Sequence, residues 1–248
     1  DWYDDSGRAL ATIKNRSTEA KVSLGMEFSD DFVATVGGGW IDATSEVSVG
    51  LRSQYEGVDD RAMFAEMAFR YDTLDNINFP TKGFYLNAEA RRYDDLEYST
   101  DPSVSDYSVE AILPIDWGDG WVSVLNARRG ASSIPSRYAL GGLFNMSGAY
   151  YGRYNGSDIF FGNLILYKRL KNVDVLGFPL YVGGSAEFAR VKEDSDTEYA
   201  PNEDWGQWKK AGSVFVATNT IFGPMYLALG RTSDHDSAVY FFWGRPYQ

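Results

Sequence analysis

The chain has 248 residues, with 23 Lys+Arg against 35 Asp+Glu, a formal net charge of −12 and a sequence pI near 4.5. That balance excludes nucleic acid as a partner, because binding phosphates needs a basic footprint. With no cysteine and a single histidine, zinc fingers, iron–sulfur clusters, thiol catalysis and disulfide scaffolds are excluded too.

Hydrophobic residues make up 44% of the chain and aromatics 16%, with 17 Tyr and 25 Gly. An average globular domain has fewer of both, and no stretch approaches a membrane helix. Asp1-Trp2-Tyr3-Asp4-Asp5 is not a signal peptide, so the chain reads as a mature protein or a fragment. Taken in order, Ala20, Val22, Leu24, Met26 and Phe28 are apolar and the residues between them polar or small. Val47, Val49 and Leu51 repeat the pattern, as do Ala65, Met67, Phe69 and Tyr71, then Phe84, Leu86, Ala88 and Ala90. Period two over such lengths predicts strands with one apolar and one wet face. Continued along the chain, it predicts about thirteen strands, near 7–15, 19–28, 32–42, 46–53, 61–72, 82–94, 105–116, 120–130, 157–170, 178–191, 211–220, 223–232 and 237–246.

The connections alternate in length. Asn15-Arg16-Ser17, Asp42-Ala43-Thr44-Ser45, Trp117-Gly118-Asp119-Gly120 and Ile221-Phe222-Gly223-Pro224 read as short turns, whereas 94–105 and 192–208 are long and acidic. Short turns at one end and long loops at the other characterise a transmembrane barrel. A soluble β-sandwich or lipocalin-like barrel also alternates. Against it, Glu27, Glu66, Arg70, Glu89, Arg91 and Glu110 fall on the face that must then form the interior, an inside-out arrangement that lipid requires. Tryptophans and tyrosines (Trp2, Tyr3, Trp40, Trp117, Trp121, Trp205, Trp208, Trp243, Tyr247) gather towards strand ends, as in interfacial girdles. The expected fold is therefore all-β, a single transmembrane antiparallel β-barrel domain over 1–248, with Phe28, Leu24, Met67, Phe69, Leu86 and Leu227 facing lipid.

Several short motifs follow one another. Phe79-Pro80-Thr81-Lys82-Gly83 leads into a strand, Pro80 fixing a turn and Gly83 letting the backbone swing. Leu140-Gly141-Gly142 and Met146-Ser147-Gly148-Ala149-Tyr150 lie in the longest connection, ahead of Arg153. Tyr181-Val182-Gly183-Gly184-Ser185-Ala186-Glu187 lies on a later strand, and Thr220-Ile221-Phe222-Gly223-Pro224 at a late turn. Phe241, Trp243 and Tyr247 close the chain. The first segment resembles the Phe-Pro-Thr-Arg-Gly signature of the bacterial surface-antigen superfamily, the barrels of outer-membrane assembly factors and two-partner secretion translocators. The closing series resembles the C-terminal signal of outer-membrane barrels, with Gln248 following the final aromatic.

The resemblance implies that the long connection folds back into a sixteen-stranded barrel between its eleventh and twelfth strands. Assembly factors carry Arg in that loop and Asp on the later strand. Ser147 occupies the Arg position here, and Gly183 and Ser185 stand where the Asp is expected, so both partners are read as lost together, which leaves no unpaired charge. This combination resembles the barrels at the C-terminus of patatin-like proteins of type V, subclass d, secretion. That likeness implies an N-terminal patatin phospholipase and a POTRA domain beyond this chain, and a barrel truncated at its N-terminus by about three strands. It further implies an integral outer-membrane location, lipopolysaccharide and the barrel assembly machinery as partners, and admits a homodimer.

No catalytic, cofactor or metal residue is assigned. Gly183-Gly184-Ser185-Ala186-Glu187 lacks the last glycine of a nucleophile elbow, and His235 stands alone in a short loop. The acidic pairs Asp30-Asp31, Asp59-Asp60 and Asp94-Asp95, with Glu193-Asp194-Ser195-Asp196-Thr197-Glu198, are read as hydrated outward loops. The expected function is a non-catalytic translocation and anchoring barrel. The alternatives are a porin and a barrel-embedded hydrolase. Tyr150, Tyr151, Arg153 and Tyr154 are expected to fill the lumen, and Arg137 and Arg153 to pair with carboxylates such as Glu187.

Overall fold

The computed structural model describes residues 2–3, 9–50, 58–94, 103–134, 137–175, 177–192 and 205–245. The strands are β1 (Trp2–Tyr3), β2 (Ala9–Ser29), β3 (Phe32–Gly50), β4 (Val58–Asp72), β5 (Tyr85–Asp94), β6 (Ser103–Gly118), β7 (Trp121–Ser132), β8 (Tyr138–Leu140), β9 (Tyr154–Gly156), β10 (Asp158–Val175), β11 (Phe178–Lys192), β12 (Lys209–Thr220), β13 (Gly223–Thr232) and β14 (Ser237–Trp243). Twelve form one antiparallel sheet in chain order, interrupted only where β7 pairs with β10 around the separate β8–β9 hairpin. No helix is found among the described residues.

The side-chain pattern matches the period-two reading. Leu24, Phe28, Met67, Phe69, Leu86 and Leu227 are all exposed on one face, with Val22, Met63, Val214, Val239 and Phe241. The charged residues between them, Glu19, Lys21, Glu66 and Arg91, share the opposite face through the register Lys21↔Gly39, Gly37↔Glu66 and Glu66↔Arg91. That face is concave. Asn78, in the loop after β4, reaches Asn219 at the end of β12 at 3.1 Å, and Phe79 stacks on Tyr181 of β11.

Two expected turns are absent. Asn15-Arg16-Ser17 lies inside β2, and Asp42-Ala43-Thr44-Ser45 inside β3, the two pairing as one hairpin of 21 and 19 residues. A tilted strand crosses the apolar band in about 9–11 residues. Asn15-Arg16-Ser17 and Asp42 to Ser45 are polar runs within these long strands, and a polar run inside a strand looks like a turn. The correction leaves six long strands, β2–β7, before the inward connection and five, β10–β14, after it. It also moves Asp30-Asp31 to a two-residue turn at the same end as Asp119-Gly120, not to an outward loop. Asp59, Asp60 and Asp94 lie within strands β4 and β5, while Asp95, 193–198 and Tyr247 fall outside the described residues.

Candidate functional site

The segment between β7 and β10 turns back over the concave face and is fastened there. Its stem is the β8–β9 hairpin, and its tip, 141–153, packs on β10 to β14. Positive φ at Phe144 (60°), Met146 (76°) and Gly148 (105°) curls the tip so that successive backbone N–H groups converge. They converge on Glu187 of β11. One carboxylate oxygen accepts from Met146 N at 2.6 Å and Ser147 N at 2.8 Å; the other accepts from Ser147 Oγ and Ser185 Oγ, each at 2.5 Å. Ser185 also meets Ser213 of β12 at 2.7 Å. Glu187 and Ser147 are fully enclosed. Four donors supply what water would give, which is what a buried carboxylate without a cation requires.

The same tip is braced by one internal bond and held to the wall at three further points. Ser147 Oγ accepts from Phe144 N, Asn163 donates to the Phe144 carbonyl, Tyr240 accepts from Gly148 N, and Arg128 donates to Asn145. Gly148 lies so close to Arg231 that a Cβ would fall 2.6 Å from its backbone, so only glycine fits. Leu140, Met146 and Ala149 pack with Ile159, Phe161 and Ala189.

A second insertion enters from the opposite end. The loop 73–84 is folded around Asp75, which accepts from Thr81 N at 2.8 Å, Thr81 Oγ1 at 2.6 Å and Lys82 N at 3.0 Å. Burial alone would raise the Asp75 pKa; the Thr81 hydroxyl and the two backbone donors outweigh it and hold it below the usual carboxylate range. Gly83, at φ 98°, passes against Thr73, where a Cβ would sit 2.0 Å from the carbonyl oxygen. The loop delivers Phe79 to the interior. Its ring lies 4.0 Å from Tyr181 and parallel to it, with Tyr167 edge-on at 5.7 Å, while Tyr167 donates to the Pro80 carbonyl at 2.7 Å. Phe144 of the first insertion and Phe79 of the second both contact Tyr226 of β13, at 5.6 and 5.8 Å. The two insertions meet at one tyrosine.

The inner face of β2 to β6 is different. Lys21 and Arg91 hold Glu66 at 2.7 Å each, and Arg91 also reaches Glu19 at 3.0 Å, spanning β3 and β4. Gly37 and Gly39 lie opposite Glu66 and Lys21, and a Cβ at either would run into β2, against Ser23 and the Val22 carbonyl or the Ala20 carbonyl. Two adjoining cavities of about 290 and 620 Å³ run along this face, sharing Thr35, Ala68 and Glu89.

The residues singled out from the motifs divide accordingly. Gly141, Gly142, Ser147, Gly148, Phe79, Pro80, Ser185 and Glu187 are brought into the packed interior, with Gly183 opposite Phe215. Gly223 and Pro224 open β13 directly after the Ile221-Phe222 turn, and Phe241 and Trp243 are exposed on the outer face of β14. Three expectations are corrected. The carboxylate partner of Ser147 is not lost: Glu187, two residues beyond Ser185, supplies it. Among the described residues no arginine pairs with Glu187; Arg137 pairs with Asp106 and Arg153 with Asp236. Tyr150 and Tyr151 remain exposed, and the filling comes from Leu140, Leu143, Phe144 and Met146. Tyr154 is buried as expected; burial first and then Asp234, 3.1 Å away, push its pKa up to about 12. Burial alone would raise the Asp234 pKa; the Lys209 ammonium, with the Tyr154 and Ser233 hydroxyls, outweighs it and holds Asp234 below the usual carboxylate range. His235 is at an exposed turn beside Arg231. No group of three or more His, Cys, Asp or Glu arranged for a metal occurs among the described residues. Tyr181 and Tyr226 lie in the motif segments without a packing role assigned to them, and Tyr167 and Tyr240 escaped the motif reading.

Comparison with protein-family models gave no match, and comparison with curated protein sequences gave none either. Among solved structures, the chain is similar to the crystal structure of BamA from Haemophilus ducreyi lacking POTRA domains 1-3. The TM-score is 0.73 at 13% identity, over 93% of this chain and 53% of that one. The fold is that of the BamA barrel. The chain spans about half the length of that BamA structure, and the BamA-type wall here carries both insertions on its concave side.

Proposed function

We propose that this chain is the membrane-embedded wall of an outer-membrane barrel, and that it anchors and translocates without doing covalent chemistry. The observation that carries the reading is the inverted distribution of side chains. Val22, Leu24, Met26 and Phe28 are exposed in one row, while Glu187 and Ser147 are enclosed on the other face. Water would penalise that outer row, and lipid would stabilise it. In this reading the insertion 133–157 closes the lumen from the outer end and the Phe79 loop from the periplasmic end. Phe241, Trp243 and Tyr247 address the chain to the assembly machinery.

The finer reading is a patatin-like phospholipase passenger with a POTRA domain, which rests on the collinear motifs around Gly141, Ser147, Glu187 and Gly223. It is tested on the full-length gene product. Phospholipase turnover should fractionate with the outer membrane and depend on residues outside this chain. Ser185→Ala and His235→Ala should leave it unchanged. Turnover by the isolated barrel, abolished by either substitution, would establish the hydrolase instead. The charged cavities along β2 to β6 favour a second reading, a conducting pore, and single-channel recording in planar bilayers separates it from a closed anchor.

A further inference from the structure

The outer face is apolar along most of its height, yet at the long-loop end of β7 to β13 it turns basic. Arg129 and Arg190 flank Phe160 in register, so all three lie on the outward face with the exposed Val109. Lys210 is opposite the exposed Phe188, and Arg231 is opposite Gly212, two positions further along β12. From β11 to β13 the cations therefore step down the register. The lower rim steps the same way: Tyr85, the first residue of β5, pairs with Ile112, well above Gly118 at the end of β6. Tilted strands make such a stepped row level in the membrane. Five strands at about 4.8 Å spacing give a belt about 20 Å wide.

The belt is built. Both guanidinium groups face the Trp205 ring, Arg129 at 4.8 Å and Arg190 at 5.8 Å, and Arg190 is fixed by the Gly206 carbonyl at 2.8 Å. Trp208 lies edge-on to Phe160 at 5.7 Å and near Phe188 at 5.9 Å, forming an aromatic cluster just below the cations. Asp158 pairs with Arg129. Among the described residues, no carboxylate forms an ion pair with Arg190, Lys210 or Arg231. In a chain of net charge −12 this concentration of outward cations is local, not compositional.

We propose that this belt binds the phosphorylated glycolipid of the outer leaflet, its phosphates on Arg129, Arg190, Lys210 and Arg231 and its chains against Phe160, Phe188 and Trp208. The proposal rests on the outer-membrane reading, which puts the long loops outside. Arginine pairs with phosphate through directed charge-assisted hydrogen bonds, and aromatic rings settle where headgroup meets chain.

The test is binding of bisphosphoryl lipid A to the intact protein in nanodiscs, read by native mass spectrometry. Dephosphorylated lipid A, phosphatidylglycerol and inorganic pyrophosphate are the comparison probes, and heat-modifiable migration reports the fold of each variant. Bisphosphoryl lipid A should bind at least tenfold better than the dephosphorylated form. Arg129→Gln with Arg190→Gln should remove about tenfold or more, and the paired Lys substitutions should retain most of the binding. Equal binding of both lipid A forms overturns the proposal. Equal binding of phosphatidylglycerol, capture of pyrophosphate alone, or an unchanged, folded Gln variant also overturns it. Failure of the wild-type protein to enter any bilayer overturns the membrane reading, and the belt with it; insertion without preference overturns the belt alone.

Discussion

The two halves of the inner face solve the same problem by opposite means. From β7 to β14 the concave side is filled: Phe79, Phe144, Phe215 and Tyr226 form one cluster, and the polar atoms that enter it are met by fixed donors. From β2 to β6 packing is confined to a small cluster of Ala62, Phe64 and Tyr93; the rest is left open, and Glu66, Arg91 and Lys21 neutralise one another beside a cavity of about 290 Å³. A filled wall depends on shape and breaks when one piece is removed. A charged wall depends on redundant pairs and yields gradually. Substitutions in the two halves should therefore differ severalfold in cost.

The largest effect should come from Phe79→Ala. The side chain is enclosed and touches Tyr167, Tyr181 and Tyr226, and removing a buried phenylalanine costs about 3–5 kcal/mol. Denaturant unfolding of the folded protein in detergent should show it, and a loss below about 1 kcal/mol would mean that the loop is not a packed insertion. Glu187→Ala should follow at about 2–3 kcal/mol, because it strands Met146 N and Ser147 N away from solvent. Its second signature is local: external protease should then cut at 141–153. A stable variant with an uncut tip would show that the latch lies elsewhere. By contrast, Arg91→Gln should cost only about 1 kcal/mol, since Glu66 keeps Lys21 and the site keeps access to water. A cost equal to that of Glu187→Ala would erase the distinction between the two walls.

What the sequence displayed of this contrast follows from range. Alternation is local, so the outer row of β2, β4 and β5 could be read directly from Leu24 to Phe28, Ala65 to Tyr71 and Phe84 to Ala90. Where a polar run interrupts it the alternation is lost, and Asn15-Arg16-Ser17 and Asp42 to Ser45 were indistinguishable from turns. The first false turn inverted the assignment of ends, which sent Asp30-Asp31 outward, and the second restored it. Contacts across the lumen have no local trace. Glu187 looked like any lumenal charge, although its donors lie 40 and 41 residues earlier. Phe79 could be recognised as part of a motif, but not as the anchor that crosses to β11. Its partners there are tyrosines separated by small residues, a spacing that also suits an exposed girdle.

The smallest expected effect is one of pH, and it concerns only how the inward insertion is tethered at its stem. Asp234, in the β13–β14 loop, accepts from Tyr154 of the short strand β9 at 3.1 Å and pairs with Lys209, the first residue of β12, at 3.1 Å. Its folded pKa is depressed, so its contribution is complete above the unfolded value near 4 and is lost as pH falls through the folded one. The Tyr154 pKa is raised to about 12, so its contribution is complete below the unfolded value near 10 and is lost as pH rises towards 12. The tether should therefore be intact across a plateau bounded by these two limbs. Because the chain has no cysteine, Tyr151→Cys gives a single site for a spin label at an exposed position of the tip. Label mobility should stay constant across the plateau and rise at both ends. Asp234→Asn should abolish the acid limb and Tyr154→Phe the alkaline one. Acid loosening that survives Asp234→Asn would transfer the tether to Arg153 and Asp236, the ion pair that joins the insertion to the β13–β14 loop among the described residues.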